Sequence, residues 1–398
     1  MNYREKIEAT VAALGADFQQ IALDIHAKPE VSNYEFFACE TLSNKLKAEG
    51  FEVATDVAGH RTGFDARYKS GKPGPTVAYL AEYDALEGIG HACGHNLFGA
   101  TASLAGCALK SVIDELGGEV RVYGTPGEEG GENGSAKASF ADKGFFNDVD
   151  FALCAHPGSF HGLSGTSLAN VCVKIEFEGK PAHAAASPQN GINALDAVIF
   201  VFNAINAMRQ HVTSDVRIHG IITHGGDAPN IVPEFAACYF FLRAATKPTA
   251  QDLYERVQKI VEGSSLATGA KGKIYLSQNI VDNTIVTPSL DAVYRKNLES
   301  YGEQITPPAG GGMGSSDVGN VSHVVPTIQP SISISDRRLI GHSEEMREAS
   351  KSQKGLDSVL LGAKVLALTA LDLFEDAALL ESIKAEHKKA LDAELAGK

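Results

Sequence analysis

The stretch Glu119-Val120-Arg121-Val122-Tyr123-Gly124-Thr125-Pro126-Gly127-Glu128-Glu129-Gly130-Gly131 decides how this chain is read. Glu119 to Tyr123 has the composition of a strand, and it runs into a pair of glutamates bracketed by glycines. The arrangement recurs on either side. Thr76-Val77-Ala78-Tyr79-Leu80 is strand-like and is followed by Glu82 and Asp84, while Asp150 to Cys154 is strand-like and is followed by His156. A helical segment from Phe98 to Leu116 separates the first two strands. Strands alternating with helices predict an α/β layer with a mostly parallel sheet. Ligands of such sheets bind beyond the carboxyl ends of the strands. Three separate stretches are therefore expected to bring Glu82, Asp84, Glu128, Glu129 and His156 to one edge.

The residue types at that edge point to metal chemistry. Two adjacent carboxylates repel each other unless a cation sits beside them. Upstream, in His91-Ala92-Cys93-Gly94-His95-Asn96, Cys93 and His95 stand two residues apart in what reads as an extended loop, and both can reach one metal. Of the glutamates, one can bind metal while its neighbour handles protons, the division of labour that amide hydrolysis needs. A cysteine near a histidine is more often ordinary packing. Here Gly90, Gly94 and Gly99 mark a tight backbone, which favours the metal reading for Cys93 and His95. His91 reads as a structural or orienting residue. His342, in Leu339-Ile340-Gly341-His342-Ser343, carries little information alone, and His183, in Gly179-Lys180-Pro181-Ala182-His183, reads as a turn residue.

Outward from this core the chain changes character. Helices are expected over Asn2 to Ala27 and Tyr34 to Glu49, and again from Gly355 onward. In the middle, Val171, Val173, Ile175 and Phe177 alternate with polar residues as a half-buried strand. A helix follows with Ile192, Leu195, Ile199, Phe202, Ile205 and Met208 at helical spacing. Strands are then predicted near Val216–Ile222 and Phe235–Leu242, a helix over Ala250–Glu262 and a strand at Lys273–Ser277. The order β-α-β-β-α-β is that of a small ferredoxin-like domain. The expected division is an inserted domain at 168–284 and a discontinuous α/β domain over 1–167 and 285–398.

The bulk properties exclude some functions. At 398 residues the chain exceeds one ordinary core. A net charge of −14 argues against nucleic acid or an anionic membrane as partner. The N-terminal segment lacks the apolar run of a secretory signal, and no uninterrupted apolar run approaches membrane-spanning length. Cys39, Cys93, Cys107, Cys154, Cys172 and Cys238 lack the spacing of a disulfide scaffold, so free thiols and a cytoplasmic location are expected.

Taken together, these segments resemble the dinuclear metallo-amidohydrolases that include aminoacylases, glutamate carboxypeptidases and carnosinases. They are most similar to the branch with auxin-conjugate hydrolases and p-aminobenzoyl-glutamate hydrolase. The matching segments are Ile25-His26 to Glu35, Ala81 to Leu86, Gly88 to Asn96, Pro126 to Gly130, Ala155-His156-Pro157, Gly179 to His183, Pro229 to Pro233, Ser315 to Ser322 and Gly341-His342. The resemblance implies an exopeptidase-type α/β domain and an inserted α+β lid that also makes a homodimer. It implies two divalent metals per chain, held by Cys93, His95, Glu129, His156 and His342, with Cys93 bridging. It makes Glu128 the general base, and has His183 stabilise the reacting carbonyl in a neighbouring subunit's site. Asn230 and Arg243 match lid positions that hold the substrate's carboxylate. The wider family has a metal-binding His two residues before a catalytic Asp. Here the segment is Glu82-Tyr83-Asp84, so the resemblance leaves Asp84 as an orienting carboxylate and Glu82 without a role.

The expected activity is metal-dependent hydrolysis of an amide in a small N-acyl amino acid, dipeptide or short peptide. Zinc, manganese and cobalt all remain open as the metal, and dimer against tetramer remains open too. Two rival readings stay on the table: a cysteine-nucleophile amidase using Cys93, and a catalytically silent metal-binding protein.

Overall fold

The computed structural model describes residues 1–307 and 314–396, and the chain divides into two compact units. Residues 1–166 with 284–397 form the first, and Ser167–Asn283 the second.

The first unit is built on a six-stranded sheet in the order β1-β2-β4-β3-β5-β11. Its members are β1 (Glu52–Val57), β2 (His60–Lys69), β3 (Thr76–Ala81), β4 (Glu119–Gly124), β5 (Phe151–Leu153) and β11 (Thr327–Ile328). The β4-β3-β5-β11 core is parallel, while β1 and β2 form an antiparallel hairpin added at one side. Two short parallel strands, β6 (His156–Gly158) and β12 (Ser331–Ser333), pair separately. Helices α1 (Tyr3–Ala27), α3 (His95–Leu116) and α10 (Gln353–Glu375) pack on one another in the main hydrophobic core, beside α2 (Phe36–Ala48) and α7 (Pro288–Glu299). The remaining helices are α4 (Ala136–Asp142), α8 (Val318–Ser322), α9 (Glu344–Ala349) and α11 (Ala377–Ala396).

The hairpin β1-β2 falls outside the sequence expectation. Its first strand is largely exposed and its turn, Ala58-Gly59, requires positive φ at both residues without the usual Asn-Gly signal. Helix α3 also departs from expectation. It is long and apolar enough to cross a bilayer, yet 89% of its most apolar 18-residue stretch is buried inside the fold, which marks it as a core helix.

The second unit follows the order β7 (Ala169–Glu178), α5 (Ala194–Met208), β8 (Arg217–His224), β9 (Phe235–Ala244), α6 (Lys247–Thr268) and β10 (Lys271–Leu276). Its sheet runs β10-β7-β9-β8, every neighbour antiparallel. Val171, Val173, Ile175 and Phe177 face a core shared with Val198, Val201 and Ile205 of α5 and Leu253, Val257 and Val261 of α6. The second face of β7 and the free edge of β8 are not covered by these helices. Ile221 and Ile222 of β8 and Ile199 and Phe200 of α5 are exposed within the unit.

Candidate active site

The carboxyl ends of β3 and β4 meet the start of α3. Gly94 makes the entry possible: its φ is +85°, and a Cβ there would lie 2.9 Å from the Cβ of Pro157. His95 is consequently the first residue of α3 and does not sit in an extended loop, a correction to the sequence reading. Its Nδ1–H donates to Asp84 Oδ1 at 2.9 Å, which leaves Nε2 facing inward. The other Asp84 oxygen accepts from the Glu129 N–H at 2.9 Å, so one buried carboxylate ties the ends of both strands together. Burial works against charge on Asp84, but His95 and the Glu129 N–H hold it below the ordinary carboxylate range.

His156 is oriented the same way. Its Nδ1–H donates to the Pro157 carbonyl at 2.8 Å and its Nε2 lies 3.4 Å from Cys93 Sγ. His342 has a positive φ of 54°, a conformation that costs a non-glycine residue free energy and is concentrated at functional sites. Its N–H donates to the Ala92 carbonyl at 3.1 Å, and its Nε2 lies 3.5 Å from Glu129 Oε1.

The ligand atoms thus gather in two triads, Cys93–His95–His156 and Cys93–Glu129–His342, each within 4.8 Å internally. Cys93 belongs to both. A third group, Glu82–His95–Glu128, adjoins them. His95 Nε2, Glu129 Oε1 and Glu82 Oε2 are buried without a hydrogen-bond partner. Buried polar atoms rarely stay unsatisfied, and these have the chemistry of ligands for divalent metal. Electrostatics agree. Burial, then Glu82 and Glu129, push the Glu128 carboxyl well above its ordinary value. Burial disfavours charge on His95, yet Cys93 and Asp84 raise its proton affinity well above the usual imidazole range. The site therefore draws cations to itself. Burial pushes the Cys93 thiol up to about 12, against the direction that activates a nucleophile. His91 joins none of these groups. It is buried beside His26, and burial lowers its pKa to about 3.

Three further residues of the site had no sequence signal strong enough to single them out. Lys137, in the first turn of α4, is fully buried. Its Nζ lies 2.8 Å from Glu82 Oε1 and 2.6 Å from Asp317 Oδ1, and its N–H donates to Asp317 Oδ2. Glu35 accepts from the Gly127 N–H at 3.0 Å and from the Thr62 hydroxyl at 2.8 Å. It steadies the turn at Gly127, where φ is +69°, just before the glutamate pair.

Burial, then Asp84, push the Glu35 carboxyl up to about 8 from an ordinary 4.5. A raised acid contributes stability that is complete below its unfolded value and lost as pH rises through its folded one. In metal-free protein, Glu35→Gln, which stays neutral, should therefore match the wild type near pH 4.5. It should gain on it progressively up to pH 8, by roughly 3–5 kcal/mol at most. Thermal unfolding across that range checks this; parallel profiles for the two proteins would contradict it.

The second unit carries the remaining candidates. His183 is exposed, and its Nδ1 accepts from the N–H groups of Ala185 and Ala186, at 3.3 and 3.1 Å. The ring proton is thereby placed on Nε2, leaving one free donor. Asn230 accepts from the Ala184 N–H through its backbone carbonyl, and Ile231 bridges to His183, so His183 and Asn230 share one end of the unit. Arg243 is at the other end, paired with Asn170 on β7, where the chain enters the unit. Arg243 stands eight positions beyond Phe235 along β9, about 27 Å of strand. Asn230 and Arg243 of one chain therefore do not meet on one carboxylate.

A family model described as a peptidase dimerisation domain matches residues 169–267. The Xaa-Arg dipeptidase of Mus musculus is 33% identical over 405 residues, spanning 98% of this chain and 92% of that protein. One of the p-aminobenzoyl-glutamate hydrolase polypeptides of Escherichia coli is 31% identical, spanning 96% of this chain and 95% of its own length. The structure of a dinuclear metal-binding peptidase of the M20 family from Bacillus subtilis superposes with a TM-score of 0.62 at 20% identity, covering 91% of this chain and 99% of that one.

Proposed function

This chain belongs to the M20 peptidase family and is an amidohydrolase. From that premise we propose that it hydrolyses the amide of a dipeptide or N-acyl amino acid with two divalent ions, held by Cys93 and His95 with His156, and by Cys93 with Glu129 and His342. The observation that carries this reading is the sharing of Cys93 between the two triads. When bound, the ions would supply Lewis acidity and acidify water.

The chain's own residues do the rest. Glu128 lies beside both triads without belonging to either, and its raised proton affinity suits a group that takes a proton from water and returns it to the departing amine nitrogen. Asp84 keeps the Nε2 of His95 free for metal. The free Nε2–H of His183 is suited to donate to the carbonyl oxygen as charge develops there. Arg243 and His183 stand at opposite ends of their unit, which suits a role for His183 in a neighbouring subunit's site.

The second copy would pair at the free edge of β8, where Ile221 and Ile222 are exposed; Ile199 and Phe200 of α5 are exposed in the same unit. Ile221→Asp combined with Phe200→Glu should convert a dimer to a monomer in light scattering and lower turnover with it. A fully active monomer would contradict this arrangement. The function itself is tested with metal-reconstituted protein on Xaa-Arg dipeptides, p-aminobenzoyl-glutamate and N-acetyl amino acids. Turnover of at least one class is expected; inertness toward all three would refute the assignment.

A further inference from the structure

Resting on the two-ion reading above, we infer that Glu82 is an additional metal ligand beside His95, with Lys137 fixing its orientation. Glu82 follows the last residue of β3 and is completely buried. Its Oε2 lies 3.2 Å from His95 Nε2, yet neither atom has a hydrogen-bond partner, so the contact is short but not aligned as a hydrogen bond. The His95 ring proton is committed to Asp84 through Nδ1. Whenever His95 is neutral, a lone pair and a carboxylate oxygen face each other across this gap, so the pair needs a cation between them, a proton in metal-free protein or a metal ion in its place. Two atoms sharing one tetrahedral ion, at bond lengths of about 2.0–2.1 Å, are spaced about 3.3–3.4 Å apart.

The other oxygen of Glu82 explains how the carboxylate is held there. Oε1 lies 2.8 Å from Lys137 Nζ, and Asp317 anchors the same ammonium at 2.6 Å. A ligating carboxylate whose second oxygen is held by a buried cation is oriented as metal sites require. Glu82, His95 and Glu128 offer atoms within 4.8 Å of one another, so an ion held at His95 is within reach of Glu82, and a carboxylate is a ligand type that zinc accepts.

The test is metal binding, with no need for turnover. Full-length protein is stripped of metal and titrated with Zn²⁺ against a chromophoric chelator, and its zinc K-edge absorption is recorded. Glu82→Gln should weaken one of the two binding steps by roughly 10- to 100-fold, leave the other unchanged, and remove one oxygen from the averaged zinc shell. Glu82→Asp retains the charge opposite Lys137 but shortens the reach, and should weaken the same step. If the wild type takes up two ions and both variants bind and absorb like it, Glu82 is no ligand while the two-ion reading stands. If the wild type takes up none, both fall.

Discussion

Glu128→Gln is expected to lower kcat by about two to four orders of magnitude while leaving two ions bound per chain. The amide preserves the size of the side chain but cannot accept a proton. Glu128 lies with Glu82 and His95 but outside both triads, so its loss should not empty either ion site. Glu129→Gln should do the reverse, because Glu129 Oε1 sits 3.5 Å from His342 Nε2 in the second triad. Its metal content should fall first, and activity with it. Elemental analysis and steady-state kinetics on both variants separate the roles; a metal-poor Glu128→Gln beside a metal-replete Glu129→Gln would reverse the assignment.

Cys93→Ala is the second large effect. Cys93 is the side chain common to both triads, so its removal should weaken the binding of both ions together and abolish turnover at ordinary metal concentrations. The experiment also separates the metal reading from the cysteine nucleophile. A nucleophile could be removed with metal content intact and no rescue by added metal. A ligand's loss should show as a fall in bound metal, with partial recovery of turnover at high Zn²⁺ or Mn²⁺. The raised pKa of this half-buried thiol argues against the nucleophile.

Much of the architecture is legible in the sequence because it rests on periodicity. The alternation of Val171, Val173, Ile175 and Phe177 and the helical spacing of the α5 residues are direct imprints of a core between one sheet face and two helices. The placement of Glu82, Asp84, Glu128 and His156 just past strands is legible for the same reason, since each motif closes an apolar run. What stays hidden depends on distant contacts. Lys137 and Asp317 are 180 residues apart, and nothing in the sequence around either announces the ion pair. Glu35 reaches Gly127 across 92 residues. Helix α3 starts at His95, ahead of the Phe98 that the sequence suggests, because Gly94 and His95 look like loop until the left-handed Gly94 is seen to turn the chain into the helix. The hairpin at Glu52–Lys69 is hidden by a strand whose exposed residues carry little apolar alternation.

The most direct test of the account is the metal content of the active protein. Purified chain is stripped with chelator, reconstituted with Zn²⁺, Mn²⁺ or Co²⁺, and its bound metal is measured alongside hydrolysis of a dipeptide or N-acyl amino acid. The account predicts that activity disappears on stripping and returns as occupancy approaches two ions per chain, matching the two triads that share Cys93. Full hydrolysis by metal-free protein would contradict it.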